Sequence, residues 1–70
     1  MYGTTDGRIS LKALRVDREL TQADVAKGVG VSKKAVGAWE KGAAMPSLEN
    51  IEKICAFFGV SYDAIRWRKA

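Results

Sequence analysis

Five stretches of this chain carry apolar residues at helical spacing, and a serine or threonine stands before each of them. Ser10 precedes Leu11 and Leu14, and the spacing predicts a helix running to about Arg18. Thr21 precedes a second helix from Gln22 to about Gly28, and Ser32 a third from Lys33 to Lys41 with Val36 and Trp39 as its buried stripe. Ser47 precedes Leu48, Ile51, Ile54, Cys55 and Phe58, an inward-facing stripe that Gly59 ends. Ser61 precedes a short fifth helix from Tyr62 to about Arg68. A hydroxyl at each of these positions can accept a hydrogen bond from the free N–H groups of the first turn. Four of the starts also have aliphatic residues at staple spacing, Ile9/Leu14, Leu20/Val25, Val31/Val36 and Val60/Ile65, which fix how the chain enters each helix. Period-two alternation is absent over any useful length, so the pattern predicts an all-α, compact five-helix bundle.

The segment Thr21–Lys41 is the centre of this plan. Thr21 with Asp24 makes a capping box. Gly28 and Gly30 flank Val29, and glycine at positive φ lets the first helix stop and the chain turn within a few residues. Ala26 is small where the two helices would touch, which predicts a steep crossing. The face of the second helix left over is Lys33, Lys34, Gly37, Ala38 and Lys41, all basic or small. Such a face is either plain solvated surface or a surface able to enter a DNA major groove, which is about as wide as one helix.

Composition narrows the choice. Seventy residues allow a single small core, which favours locally encoded helices. The net charge of +4 suits a polyanionic partner. With no histidine and only Cys55, neither a zinc set nor an internal disulfide can be assembled, and no catalytic constellation of nucleophile and base emerges. No apolar run reaches the roughly 18 residues of a membrane span, and nothing resembles a signal peptide, so a cytoplasmic protein is expected. Met1–Gly7 is polar without periodicity. The expected organisation is a flexible arm over 1–7 and one domain over 8–70, with no catalytic, metal, cofactor or small-molecule site and no further domain.

The run LTQADVAKGVGVSKKAVGAWEKGAAMPSLENIEKICAFFGVSYDAI, from Leu20 to Ile65 and extending back to Leu14-Arg15, closely resembles the Cro and lambda-repressor-like helix-turn-helix family, also called the XRE family. Leu20-Thr21-Gln22, Gly30-Val31-Ser32, Trp39-Glu40, Pro46-Ser47 and Gly59-Val60-Ser61 fall at the family spacing. The resemblance implies a central helix-turn-helix in a lambda-repressor-like DNA-binding domain, with Lys33–Lys41 as the recognition helix and double-stranded DNA as partner. It implies base reading by Lys33, Lys34, Gly37 and Ala38, phosphate binding by Thr21, Gln22, Ser32 and Lys41, and a structural ion pair between Arg15 and Glu40. Family members often carry serine, glutamine or arginine where this chain has Gly37 and Ala38. Readout would therefore lean on Lys33 and Lys34 toward guanine O6 and N7, on Ala38 against a thymine methyl, and on DNA shape. The implied function is a sequence-specific transcriptional regulator, a small phage- or mobile-element-type repressor on a pseudo-palindromic operator. The alternative is a protein-interaction module of the same fold, an antitoxin-like partner.

Two aromatic residues fall outside the predicted core. Phe57 lies about 100° or more from the middle of the fourth stripe at 3.6 residues per turn, and Trp67 sits in a basic tail. Both are expected near the two-fold axis of a weak homodimer formed on DNA, since two recognition helices read two half-sites.

Overall fold

Four α-helices, not five, make up the computed structural model, which describes residues 7–67. They are α1 (Leu11–Asp17), α2 (Gln22–Val29), α3 (Lys33–Lys41) and α4 (Leu48–Phe58). Each begins at a predicted cap. Ser10 accepts from the Ala13 N–H at 3.1 Å, Ser32 from Ala35 at 3.0 Å and Ser47 from Asn50 at 3.2 Å. Thr21 accepts from Asp24 at 3.0 Å while Asp24 accepts from the Thr21 N–H at 2.9 Å, the reciprocal box. α2 stops at Gly30, whose φ of +87° is left-handed, and its N–H and that of Val31 both return to the Ala26 carbonyl. Two residues later Ser32 starts α3, so the turn costs no β-carbon strain.

The fifth helix does not form. Ser61 makes no side-chain cap bond, and Tyr62–Ala64 is a single 3-10 turn. The chain then extends as β2 (Ile65–Arg66), parallel to β1 (Ile9–Ser10), with Ile9 opposite Ile65. The extended backbone delivers Ile65 to full burial, and Ile65 lies at the heart of the apolar core with Leu11, Val25, Val36, Ile54 and Phe58. This two-residue pair also corrects the expectation of no strands; so short a strand has no alternation to detect. The predicted end of the fifth helix at Arg68, and all but the last residue of the expected 1–7 arm, lie outside the described residues.

Two positions in the helices differ from their expected roles. Leu48 is 71% exposed, so the buried stripe of α4 is Ile51, Ile54 and Phe58 with Cys55 half-buried. Leu48 is the first residue of α4, where the helix enters from solvent. Gly28 does not help the turn, being inside α2 without positive φ. A β-carbon there would stand 2.6 Å from Phe57 Cδ1, well inside contact, so the glycine lets the Phe57 ring of α4 lie over α2. Arg18, just past α1, closes the same C-terminal end of α4: its Nη1 donates to the Phe58 carbonyl at 3.1 Å, and its guanidinium stands 5.8 Å from the Phe58 ring centroid. Cations satisfy the free carbonyls and dipole of a helix C-terminus. No helix among the described residues is long and apolar enough to cross a membrane.

Candidate nucleic-acid interface

The apolar faces of α2 and α3 meet through Val25, Ala26, Val29 and Val36, all buried, which turns the opposite face of α3 outward. There, Gln22, Lys33, Lys34, Gly37, Ala38 and Lys41 line one open concavity together with Ala43. Every residue expected to read bases is on it. Ala43 was not anticipated; it follows the left-handed Gly42 that ends α3, and the Ala43 N–H returning to the Ala38 carbonyl at 2.9 Å folds it back beside the helix.

The charge on this face is unneutralised. Lys33, Lys34 and Lys41 are exposed, and among the described residues none pairs with a carboxylate. The first turn of α3 holds two lysines and no acidic residue. Cations at a helix N-terminus oppose the dipole, so the arrangement disfavours the isolated helix and favours a bound anion. Thr21 and Ser32 are exposed caps at the starts of α2 and α3, outside the lining of the concavity. Their oxygens serve the helix ends; the Ser32 hydroxyl keeps its proton for an external acceptor, while the Thr21 side chain also faces the Asp24 carboxylate.

A charged network adjoins the concavity through Gln22, with Glu40 itself bordering a separate crevice beside Trp39 and Gly42. Arg15 Nε donates to Glu40 Oε2 at 2.6 Å and Arg15 Nη2 to Glu40 Oε1 at 3.1 Å. The two side chains are only 12% and 3% exposed. The Glu40 hydrogen bond raises the Arg15 pKa above its already high ordinary value, against the opposing effect of burial. Arg15 Nη1 reaches the Leu20 carbonyl at 2.8 Å, so α1 is tied to the entrance of α2 and to the last turn of α3. Gln22 joins this network: its Nε2 donates to Glu40 Oε1 at 3.0 Å. Spacing offers no signal for that bond, because 18 residues separate the partners.

Residues 11–65 match the helix-turn-helix family model. The chain belongs to the XRE-type helix-turn-helix family. It is 48% identical over 50 residues to the cryptic phage CTXphi transcriptional repressor RstR of Vibrio cholerae, a match covering 71% of this chain and 45% of that protein. It is 47% identical over 55 residues to an uncharacterised HTH-type transcriptional regulator of Methanocaldococcus jannaschii, covering 79% of this chain and 83% of that one. Antitoxin PezA of Streptococcus pneumoniae serotype 4 is 40% identical over 53 residues, 76% of this chain and 34% of the antitoxin. The chain thus spans less than half the length of RstR and of PezA.

In this helix-turn-helix protein the two aromatic residues singled out for a dimer lie in different settings. Phe57 is 38% exposed and sits edge-on to Phe58, with centroids 5.0 Å apart. Trp67 is half-buried rather than on a helix; it stacks on Tyr62 at 6.0 Å and donates Nε1 to the Tyr62 carbonyl at 2.9 Å. It borders a separate crevice with Trp39, Pro46 and Arg66, and no ring contact joins it to Phe57. Among the described residues no group of three or more His, Cys, Asp or Glu could hold a metal ion.

Proposed function

We propose that this chain is a sequence-specific DNA-binding transcriptional repressor of the phage or mobile-element kind, acting in the cytoplasm and without catalytic activity. The observation that carries the reading is the concave face of Gln22, Lys33, Lys34, Gly37, Ala38, Lys41 and Ala43, positive, low in profile and tied through Gln22 to Glu40. α3 enters the major groove, where Lys33 and Lys34 donate to guanine O6 and N7 and Ala38 meets a thymine methyl. Gln22, Thr21, Ser32 and Lys41 hold the flanking phosphates, which sets register without reading sequence. Selection from a randomised DNA pool tests this. A guanine-containing consensus is expected, and Lys34→Ala should weaken binding by about 1–3 kcal/mol and relax the preference at the base it contacts. Failure to enrich any sequence refutes the reading.

The same fold as a protein-binding module is the second reading, favoured by the similarity to an antitoxin and by the smooth Gly37-Ala38 surface. Capture of a partner protein that competes with no DNA would support it. The repressor reading further includes a weak homodimer on DNA, with Phe57 and Trp67 toward the two-fold axis and half-sites about one DNA turn apart. Sedimentation with a selected operator should give two protomers per duplex, reduced by Trp67→Ala. A one-to-one complex at saturating protein, unchanged by that substitution, removes the dimer.

A further inference from the structure

Glu40 is the residue on which the ion pair and the concave face converge. Its carboxylate accepts from Arg15 Nε, Arg15 Nη2 and Gln22 Nε2 at 2.6, 3.1 and 3.0 Å, and its side chain is almost wholly buried at 3% exposure. Gln22 opens α2 and Glu40 lies in the last turn of α3. The bond therefore closes the helix pair at the end away from the Gly30 turn.

We propose that Glu40 is a positioning residue of the interface: it holds the Gln22 carboxamide against the recognition helix, so that phosphate anchor and base reader meet DNA in one register. This rests on the DNA-binding reading above. A carboxylate has acceptors only, so the Gln22 amide must turn its nitrogen toward Glu40, and the second N–H on that nitrogen remains to donate to a phosphate oxygen. The amide also lies close to Gly37. The Gln22 Nε2 and Oε1 atoms stand 3.7 and 3.8 Å from where a Gly37 β-carbon would be, so the amide lies across the α3 backbone. Arg15 completes the device by neutralising Glu40, without which a buried carboxylate behind the anchor would repel the phosphate. A glutamine held in place before DNA arrives has already lost the rotamer freedom that binding would otherwise have to remove.

The test compares binding of the full chain to a selected operator in four forms: parent, Gln22→Ala, the paired replacement Arg15→Met with Glu40→Met, and all three changes together. Replacing both charges avoids stranding one in the interior. Gln22→Ala and the paired replacement should each weaken binding by about five- to tenfold, alike for every sequence. The triple variant should bind as Gln22→Ala does, since Glu40 acts only through Gln22. Losses that multiply in the triple variant overturn the proposal, as does a paired replacement that binds like the parent. A measurement on the parent alone guards against a variant that fails to fold. The Gln22 side-chain amide protons should exchange with water markedly more slowly than those of free glutamine, and exchange at the free rate overturns the proposal. A parent that selects no DNA overturns the DNA-binding reading beneath it, with the Gln22 proton exchange still reporting on the Glu40 bond.

Discussion

Two glycines lie inside helices of the helix-turn-helix unit, and the structure assigns different outcomes to their replacement by alanine. In a helix interior alanine is favoured over glycine by about 1 kcal/mol, mostly through the entropy of the unfolded chain. At Gly37 that gain should appear in full. A β-carbon there would meet only the Gln22 amide, at 3.7 and 3.8 Å, ordinary van der Waals separations. At Gly28 the new methyl would overlap the Phe57 ring, which must swing away. Phe57 is 38% exposed, so about three-fifths of its surface is buried. Full burial of such a side chain contributes about 1.5–3 kcal/mol, so displacement forfeits roughly 1–2 kcal/mol and offsets or exceeds the helical gain. The two variants should therefore differ by about 1–2 kcal/mol, with Gly37→Ala the more stable. For a domain of this size each kcal/mol moves the melting temperature by about 4–8 °C, readily resolved by circular dichroism during heating. A melting temperature lowered by Gly37→Ala refutes the packing argument. The same variant also probes function, because its methyl would stand on the concave face. Greater stability with weaker operator binding would show that the glycine serves the ligand and not the fold. Greater stability with an unchanged consensus and affinity removes position 37 from the base-reading set.

Trp39 is 9% exposed within the core, so Trp39→Ala should destabilise by about 3–5 kcal/mol, a large part of the stability of a domain this size; a near-normal denaturant midpoint would place its side chain outside the core. The Asp24 carboxyl is held below its ordinary pKa, first by the hydrogen bond from the Thr21 backbone N–H and then by the Thr21 side chain. A lowered folded-state pKa contributes stability that is present above the unfolded value and lost as pH falls through the folded one. The advantage of the parent over Asp24→Ala should therefore be greatest near neutrality and shrink in acid, and a difference independent of pH would remove the carboxylate from the cap.

The sequence by itself determined the four helices, because what starts and stops them is local. A hydroxyl at the cap, the N–H that donates to it three residues on and a glycine past the end act within one turn of backbone, as at Thr21, Asp24 and Gly30. The outward basic face of α3 was legible for the same reason, since helical spacing alone separates Lys33, Lys34, Gly37, Ala38 and Lys41 from Val36 and Trp39. The Arg15–Glu40 pair was legible only through family resemblance. Tertiary structure decided whatever required two distant segments to meet. After Ser61 the local pattern favours a helix, but extension instead lets Ile65 pair with Ile9 and reach the centre of the core, and this contact outweighs a short helix without a side-chain cap. Leu48 fits the stripe of α4 in register, yet burial depends on whether a neighbour faces the first turn, and there the helix points into solvent. Gly28 reads as part of the turn until Phe57, 29 positions later, is placed over it. The Gln22–Glu40 bond likewise exists only once α2 and α3 cross, for periodicity orders residues around one axis and leaves open which axis lies alongside.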